Sequence, residues 1–211
     1  MQERAARTRE ALLDAVAEIV DARGYDGASL ADVLGRAGVT KGAMYHHFPS
    51  KAALVGALVE EQFAPTLASP TIPGMPVLHA AEITLQALAA TVDDVRFRAA
   101  FGVVVDRPHP ELAPWSRPVT EWSEVFAALF AAARDAGDLG DGVDVDVAAE
   151  GEAVVATTIG CFCMARAAGE PGRAVEAVAT AWGMVVDRAV AADRRAAHRR
   201  ALTDLVGAYQ R

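Results

Sequence analysis

Apolar residues recur along this chain at helical spacing. Leu12, Leu13, Val16, Ile19 and Val20 form one stripe, and Gly24 stops it, which predicts a first helix from about Arg7 to Arg23. Ser29 then caps a short second helix. Asp32 stands three residues on in a capping-box arrangement, Leu30, Val33, Leu34 and Ala37 face inward, and Gly38 supplies a left-handed stop. Thr40 opens a third helix after a turn of about three residues, too short for the two helices to continue as one rod. This spacing is the helix-turn-helix pattern. Within the third helix Met44 and Phe48 share a face at i, i+4, and Lys41 and Tyr45 share another. Pro49 ends it, and Ser50 caps a fourth helix running to about Leu67.

Further helices are expected at 77 to 92, 94 to 106, 117 to 136, 145 to 168, 172 to 191 and 194 to 209. Segments rich in Gly or Pro separate them, such as SPTIPGMP at 69 to 76 and RPHPELAP at 107 to 114. With no convincing alternation of β-branched residues, the expected class is all-α. A three-helix unit with the helix-turn-helix pattern at 1–51 precedes a helical-bundle domain at 52–211.

Composition changes the picture in two respects. Apolar residues make up 53% of the chain and aromatics only 6%, which favours closely packed Ala/Val helices. The net charge of −8 argues at first against nucleic acid, yet residues 1–51 carry seven Arg and Lys against seven Asp and Glu. The remaining residues hold the whole deficit, so a neutral head is attached to an acidic body. No uninterrupted apolar run approaches a membrane span and the start is charged, which leads to the expectation of a cytoplasmic protein without membrane contact. Cys161 and Cys163, two apart on a helix, point away from each other and read as inert core thiols, and no metal or cofactor spacing is present.

The run GYDGASLADVLGRAGVTKGAMYHHFPSK, residues 24–51, closely resembles the DNA-binding domain of TetR-type regulators. More narrowly, Ala6–Arg9, Thr40–Phe48 and Thr120-Glu121-Trp122 are similar to the γ-butyrolactone autoregulator receptors of actinobacteria. Met44 departs from the more usual leucine there, and His46 stands where an aromatic is common.

The resemblance implies a homodimeric repressor that binds an inverted repeat in double-stranded DNA. Thr40, Lys41 and Gly42 open the recognition helix, where backbone N–H groups favour phosphate and a missing side chain permits close approach. Lys41 could instead reach a guanine edge, and Thr40 and Gly42 could be only cap and packing residues. Tyr45, His47 and Lys51 offer donors to phosphate, and His46 is the candidate specificity position, its alternative being a solvated histidine. Ser29 is a cap and, by resemblance, a phosphate contact, two roles that compete for one hydroxyl.

Four residues are expected to meet a small, neutral, mostly apolar effector. Gln62 interrupts the Leu54, Leu58 stripe and Thr158 interrupts Val154, Val155, Ile159 and Phe162. Each of the two could equally be satisfied by nearby backbone. Val155 accompanies Thr158. Trp122 reads as core on its own stripe, whereas by resemblance it lines the ligand pocket. The wide apolar faces of the helices at 145–168 and 172–191 predict a second copy of the chain as partner. Two other readings stay open: a relative answering to an antibiotic or another signal, and a helical enzyme. His79, His109 and His198 are scattered, and no nucleophile, base and orienting acid stand out, so no catalysis is expected.

Overall fold

A computed structural model describes residues 2–66, 72, 74–106, 109–115, 117–140 and 146–209. The described residues form the expected all-α chain: α1 (Gln2–Gly27), α2 (Leu30–Ala37), α3 (Lys41–His47), α4 (Lys51–Thr66), α5 (Pro76–Asp93), α6 (Val95–Val105), α7 (Arg117–Asp135), α8 (Val147–Ala168), α9 (Arg173–Ala189) and α10 (Arg195–Tyr209). A 3-10 turn at Pro110–Trp115 occupies part of a segment expected to be irregular.

Two compact units are present, and they do not divide at residue 51. One comprises Met1–Pro65 with Asp93–Pro118, the other Thr66–Val92 with Val119–Arg211. Thus α4, α6 and the 3-10 turn belong with the helix-turn-helix, a grouping that long-range pairing creates and local periodicity does not reveal.

In the first unit, α1 is longer than its apolar stripe suggests. Gly24 leaves helical geometry at φ +70° and ψ 173°, where the sequence predicts the stop, and one more short turn follows to Gly27. The core is built from Leu12, Leu13 and Val16 of α1, Val33 of α2, Met44 of α3, and Leu54 and Leu58 of α4, all essentially inaccessible. Burying each such side chain contributes about 1.5–3 kcal/mol. Phe63 of α4 stacks on Phe97 and Phe101 of α6, with ring centroids 5.6 and 6.1 Å apart. Charge then fixes the position of α6 on α1: Arg96 pairs with Asp14 (2.7 Å) and Glu10 (2.9 Å), and Arg98 with Asp21 (3.0 Å).

The second unit packs α5 and α7–α10 around Leu78, Leu85, Leu88, Phe126, Phe130 and Trp182. At Gly151, α8 lies so close to α7 that a Cβ there would stand 2.4 Å from the Ser123 carbonyl oxygen and 2.8 Å from the Ala127 nitrogen. The end of α7 is tied to α10 by the fully buried Asp138. Its carboxylate lies 3.1 Å from His198 Nε2 and accepts from Arg194 at 3.2 Å. An isolated antiparallel bridge, Leu139 to Val190, closes the same corner.

By length and composition α8 is long and apolar enough to cross a membrane, with mean hydropathy 1.4 over its most apolar 18 residues, of which 28% is buried. Glycine, threonine and two acids keep this stretch from being an uninterrupted apolar run without lowering the average much.

Candidate nucleic-acid interface and effector site

Local capping chemistry sets up the recognition helix. Ser29 Oγ accepts from the Asp32 amide (3.1 Å) at the start of α2, and Gly38, left-handed at φ +65°, ends that helix. Thr40 Oγ1 accepts from the Ala43 amide (3.2 Å) and starts α3 at once. Met44 and Phe48 point inward, at 0% and 5% exposure, so the opposite side of α3 is left outside. Thr40, Lys41, Gly42, Tyr45 and His46 are exposed there and His47 is half-buried. A Cβ at Gly42 would meet nothing within 4 Å, so that backbone is open to a close neighbour. The Lys41 ammonium lies 5.8 Å from the Tyr45 ring centroid, and the His46 and His47 rings meet edge to face at 5.4 Å.

At Ser29 the cap and an outward contact draw on different parts of the hydroxyl. The cap uses an oxygen lone pair, which leaves the hydroxyl proton to donate outward. Lys51 is placed otherwise than its sequence position suggests. Its Nζ donates to the carbonyls of Tyr25 (2.9 Å) and Ala28 (3.0 Å) and lies 3.9 Å from the Tyr25 ring centroid, so the ammonium is turned into the head.

The neutral charge of residues 1–51 also resolves. Each of its seven acids has a basic partner: Glu3 with Arg7, Glu10 and Asp14 with Arg96, Glu18 with Arg36, Asp21 with Arg98, Asp26 with His109 and Asp32 with Arg23. Arg96, Arg98 and His109 come from beyond residue 51, where sequence reasoning did not look. Among the described residues, no acid pairs with Lys41.

The four effector candidates do not fall in one unit. Gln62, half-buried on α4, belongs to the first. Trp122 on α7 and Val155 and Thr158 on α8 belong to the second and are buried at 2%, 3% and 0% exposure. Trp122 meets Phe126 edge to face at 6.3 Å. Thr158 Oγ1 donates to the Val154 carbonyl four residues back (2.8 Å), the self-satisfying bond open to a helical threonine. Thr158 also lines a cavity of about 160 Å³ between α8 and α9, together with Val154, Val178, Ala181, Trp182 and Val185. Trp122 and Val155 do not line it. Arg188 and Glu150 pair at its edge (2.6 Å). The polar chain beneath it escaped sequence reading: Trp182 Nε1 donates to Thr84 Oγ1 (2.7 Å), whose hydroxyl donates to the Ala81 carbonyl (2.9 Å).

Comparison with known proteins places this geometry. Residues 12–58 match the profile of bacterial regulatory proteins of the tetR family. The A-factor receptor protein of Streptomyces griseus is 46% identical over 61 residues, 29% of this chain and 22% of that protein. This match therefore spans well under a third of the relative's length. Solved structures extend the likeness over the whole chain. A γ-butyrolactone receptor, described as ArpA-like, superposes with TM-score 0.78 at 26% identity, covering 97% of this chain and 98% of that one. CprB from Streptomyces coelicolor, solved with its biological operator sequence, gives 0.79 at 26% identity over 96% and 98%. A structure described as the molecular basis for control of antibiotic production by bacterial hormones gives 0.69 at 30% identity, covering 87% of this chain and 97% of its own. The matched helix-turn-helix segment and the full-length superposition agree, and the chain belongs to the TetR family of bacterial regulatory proteins, related to the γ-butyrolactone receptors.

Proposed function

We propose that this chain is a ligand-responsive transcriptional repressor, acting in the cytoplasm rather than as an enzyme, which binds an inverted-repeat operator as a homodimer. The observation that carries the reading is the two-sidedness of α3: Met44 and Phe48 anchor it, while Thr40, Lys41, Gly42, Tyr45 and His46 stay exposed. Such a helix, entered through a tight turn from α2, fits the major groove with its N-terminal residues toward base edges. Ser29 and His47 complete the phosphate-facing set, and His46 tunes operator preference. We assign Lys51 to bracing the head instead of touching DNA, since its donors are directed at Tyr25 and Ala28.

The domain roles follow: residues 1–51 read DNA, and 52–211 supply effector binding and dimerisation. The exposed side of α8 and α9 supports the second role. Met164 is 76% exposed and Met184 63%, on helices whose composition suits a covered interface. The effector is of γ-butyrolactone type, small, neutral and mostly apolar, consistent with the buried Trp122, Val155 and Thr158, and Gln62 remains a candidate on α4. Release is a population shift. Moving the balance from 1:99 to 99:1 requires the effector to prefer the released state by about 5.5 kcal/mol.

The test is a gel shift with the duplex upstream of the protein's own gene. Retardation at low salt is expected, weakened at least tenfold by Lys41→Ala and reversed by a γ-butyrolactone titrated into the complex. Trp122→Phe should keep operator binding and raise the effector concentration needed for release. No retardation at low salt rejects the repressor reading, and normal release by Trp122→Phe removes Trp122 from the effector site.

A further inference from the structure

In the first unit, Tyr25 collects contacts from elements distant in sequence. It follows the bend at Gly24, and its carbonyl accepts from Lys51 at the start of α4. The Lys51 ammonium and the His109 ring both lie against the Tyr25 ring, at 3.9 and 4.7 Å between centres. The Tyr25 hydroxyl donates to Glu111 Oε2 at 2.8 Å. Glu111 sits in the 3-10 turn between α6 and α7, and its amide is held 3.3 Å from His109 Nδ1. His109 in turn pairs with Asp26 (3.3 Å), and Leu112 is buried at 7% exposure.

Resting on the reading of α3 as a DNA-binding helix, we propose that Glu111 is a positioning residue for operator binding, which pins Tyr25 and through it the joint where α1 ends, the α2 cap begins and α4 starts. The physical case rests on how few directions Tyr25 can move. Its ring is buried at 8% exposure, its carbonyl is held by Lys51, and its hydroxyl is held by a carboxylate. The oxygen at 2.8 Å is a directional acceptor for the phenol, a role the amide oxygen of a glutamine can also fill. Lys51 also holds the Ala28 carbonyl, one residue before the Ser29 cap, so a shift of Tyr25 is passed to the start of α2. Arg117 opens α7 five residues after Leu112. Along the chain the 3-10 turn thus lies between α6 and α7.

The experiment uses four full-length variants: Tyr25→Phe, Glu111→Ala, Glu111→Gln and the double Tyr25→Phe/Glu111→Ala. Glu111 is exposed, so its variants test the idea even where Tyr25→Phe folds poorly. Amide exchange is read across residues 28–48, and binding is read with the duplex upstream of the protein's own gene. Tyr25→Phe and Glu111→Ala should each speed exchange over 28–40 at least fivefold and weaken DNA binding about fivefold. The double variant should do no more than either single, Glu111→Gln should stay within twofold of the parent, and α8 and α9 should not change. Unchanged exchange, effects that multiply in the double variant, or a glutamine as damaging as alanine overturn the proposal. Altered exchange with unchanged DNA affinity overturns it too. If exchange responds as stated but the parent protein retards no DNA, the pinning of Tyr25 survives, and both the repressor reading and Glu111's role in operator binding fail.

Discussion

The Trp182 indole donates to Thr84 Oγ1 at 2.7 Å, fixing α9 to α5 by a side-chain bond across 98 residues of sequence. Thr84 is wholly buried and its hydroxyl donates to the Ala81 carbonyl, so indole and hydroxyl are both satisfied without water. The Trp182 ring also stacks on Phe130, with centroids 6.5 Å apart. Thr84→Val keeps the shape and strands the indole N–H in the core. Its expected cost is about 1–3 kcal/mol, read as a lower denaturant midpoint. Thr84→Ser should recover most of that loss, and an equal loss in both variants would assign the effect to packing instead.

Gly151 is expected to reject even one methyl group. The atoms a Cβ would strike, the Ser123 carbonyl and the Ala127 nitrogen, are backbone and cannot swing aside. Gly151→Ala should cost about 1–3 kcal/mol. For a chain of this size that lowers the melting temperature by roughly 2–12 °C. Gly207→Ala, on α10 with nothing within 4 Å, should be neutral or slightly stabilising, and a scanning-calorimetry pair separates the two.

Alkaline pH should single out Tyr25. Burial, the bond to Glu111 and the charges of Glu111 and Asp26 raise its phenol well above the ordinary value of 10. Above pH 10 the unfolded state releases this proton while the folded state keeps it, so stability present at lower pH declines as pH rises. Tyr25→Phe should therefore show a shallower loss of stability between pH 9 and 11 than the parent. Identical slopes in denaturant titrations at each pH would count against the Tyr25–Glu111 bond.

Met164 and Met184 should report on self-association. Replacing either by glutamate puts a charge on a surface that a second copy is proposed to cover, and burying an unpaired charge is costly. Light scattering is expected to show the mass falling from dimer to monomer for Met164→Glu, with helical circular dichroism retained. A variant that stays dimeric moves the interface away from α8.

Much of the helix-turn-helix could be read in the sequence, since its determinants are local. Ser29, Gly38 and Thr40 act within four residues of themselves, and the Met44/Phe48 face follows from one helical turn. Lys51 could not be read this way: its side chain reaches back 26 residues to Tyr25, and periodicity says nothing about such a return. The same limit hid Arg96 and Arg98, whose carboxylate partners stand 77 to 86 residues earlier. Placing the division at residue 51 separated these arginines from the acids they neutralise. In the second unit, Thr158 is legible as a polar interruption of an apolar stripe, and its bond to Val154 is one of the alternatives that pattern leaves open. Trp182 and Thr84 were not connected, because neither residue alone announces a partner on another helix.

The pairing of every acid in residues 1–51 bears on how fast this molecule can find a target. A chain of net charge −8 is repelled on average by a polyanion, so most encounters are unproductive, while a cation without a carboxylate partner, as at Lys41, gives one approach direction an advantage. Added salt then acts in opposite senses on two quantities. It screens the long-range repulsion that slows arrival, and it weakens the short-range phosphate contacts that prolong residence. Association rate and lifetime should thus respond to ionic strength with opposite signs.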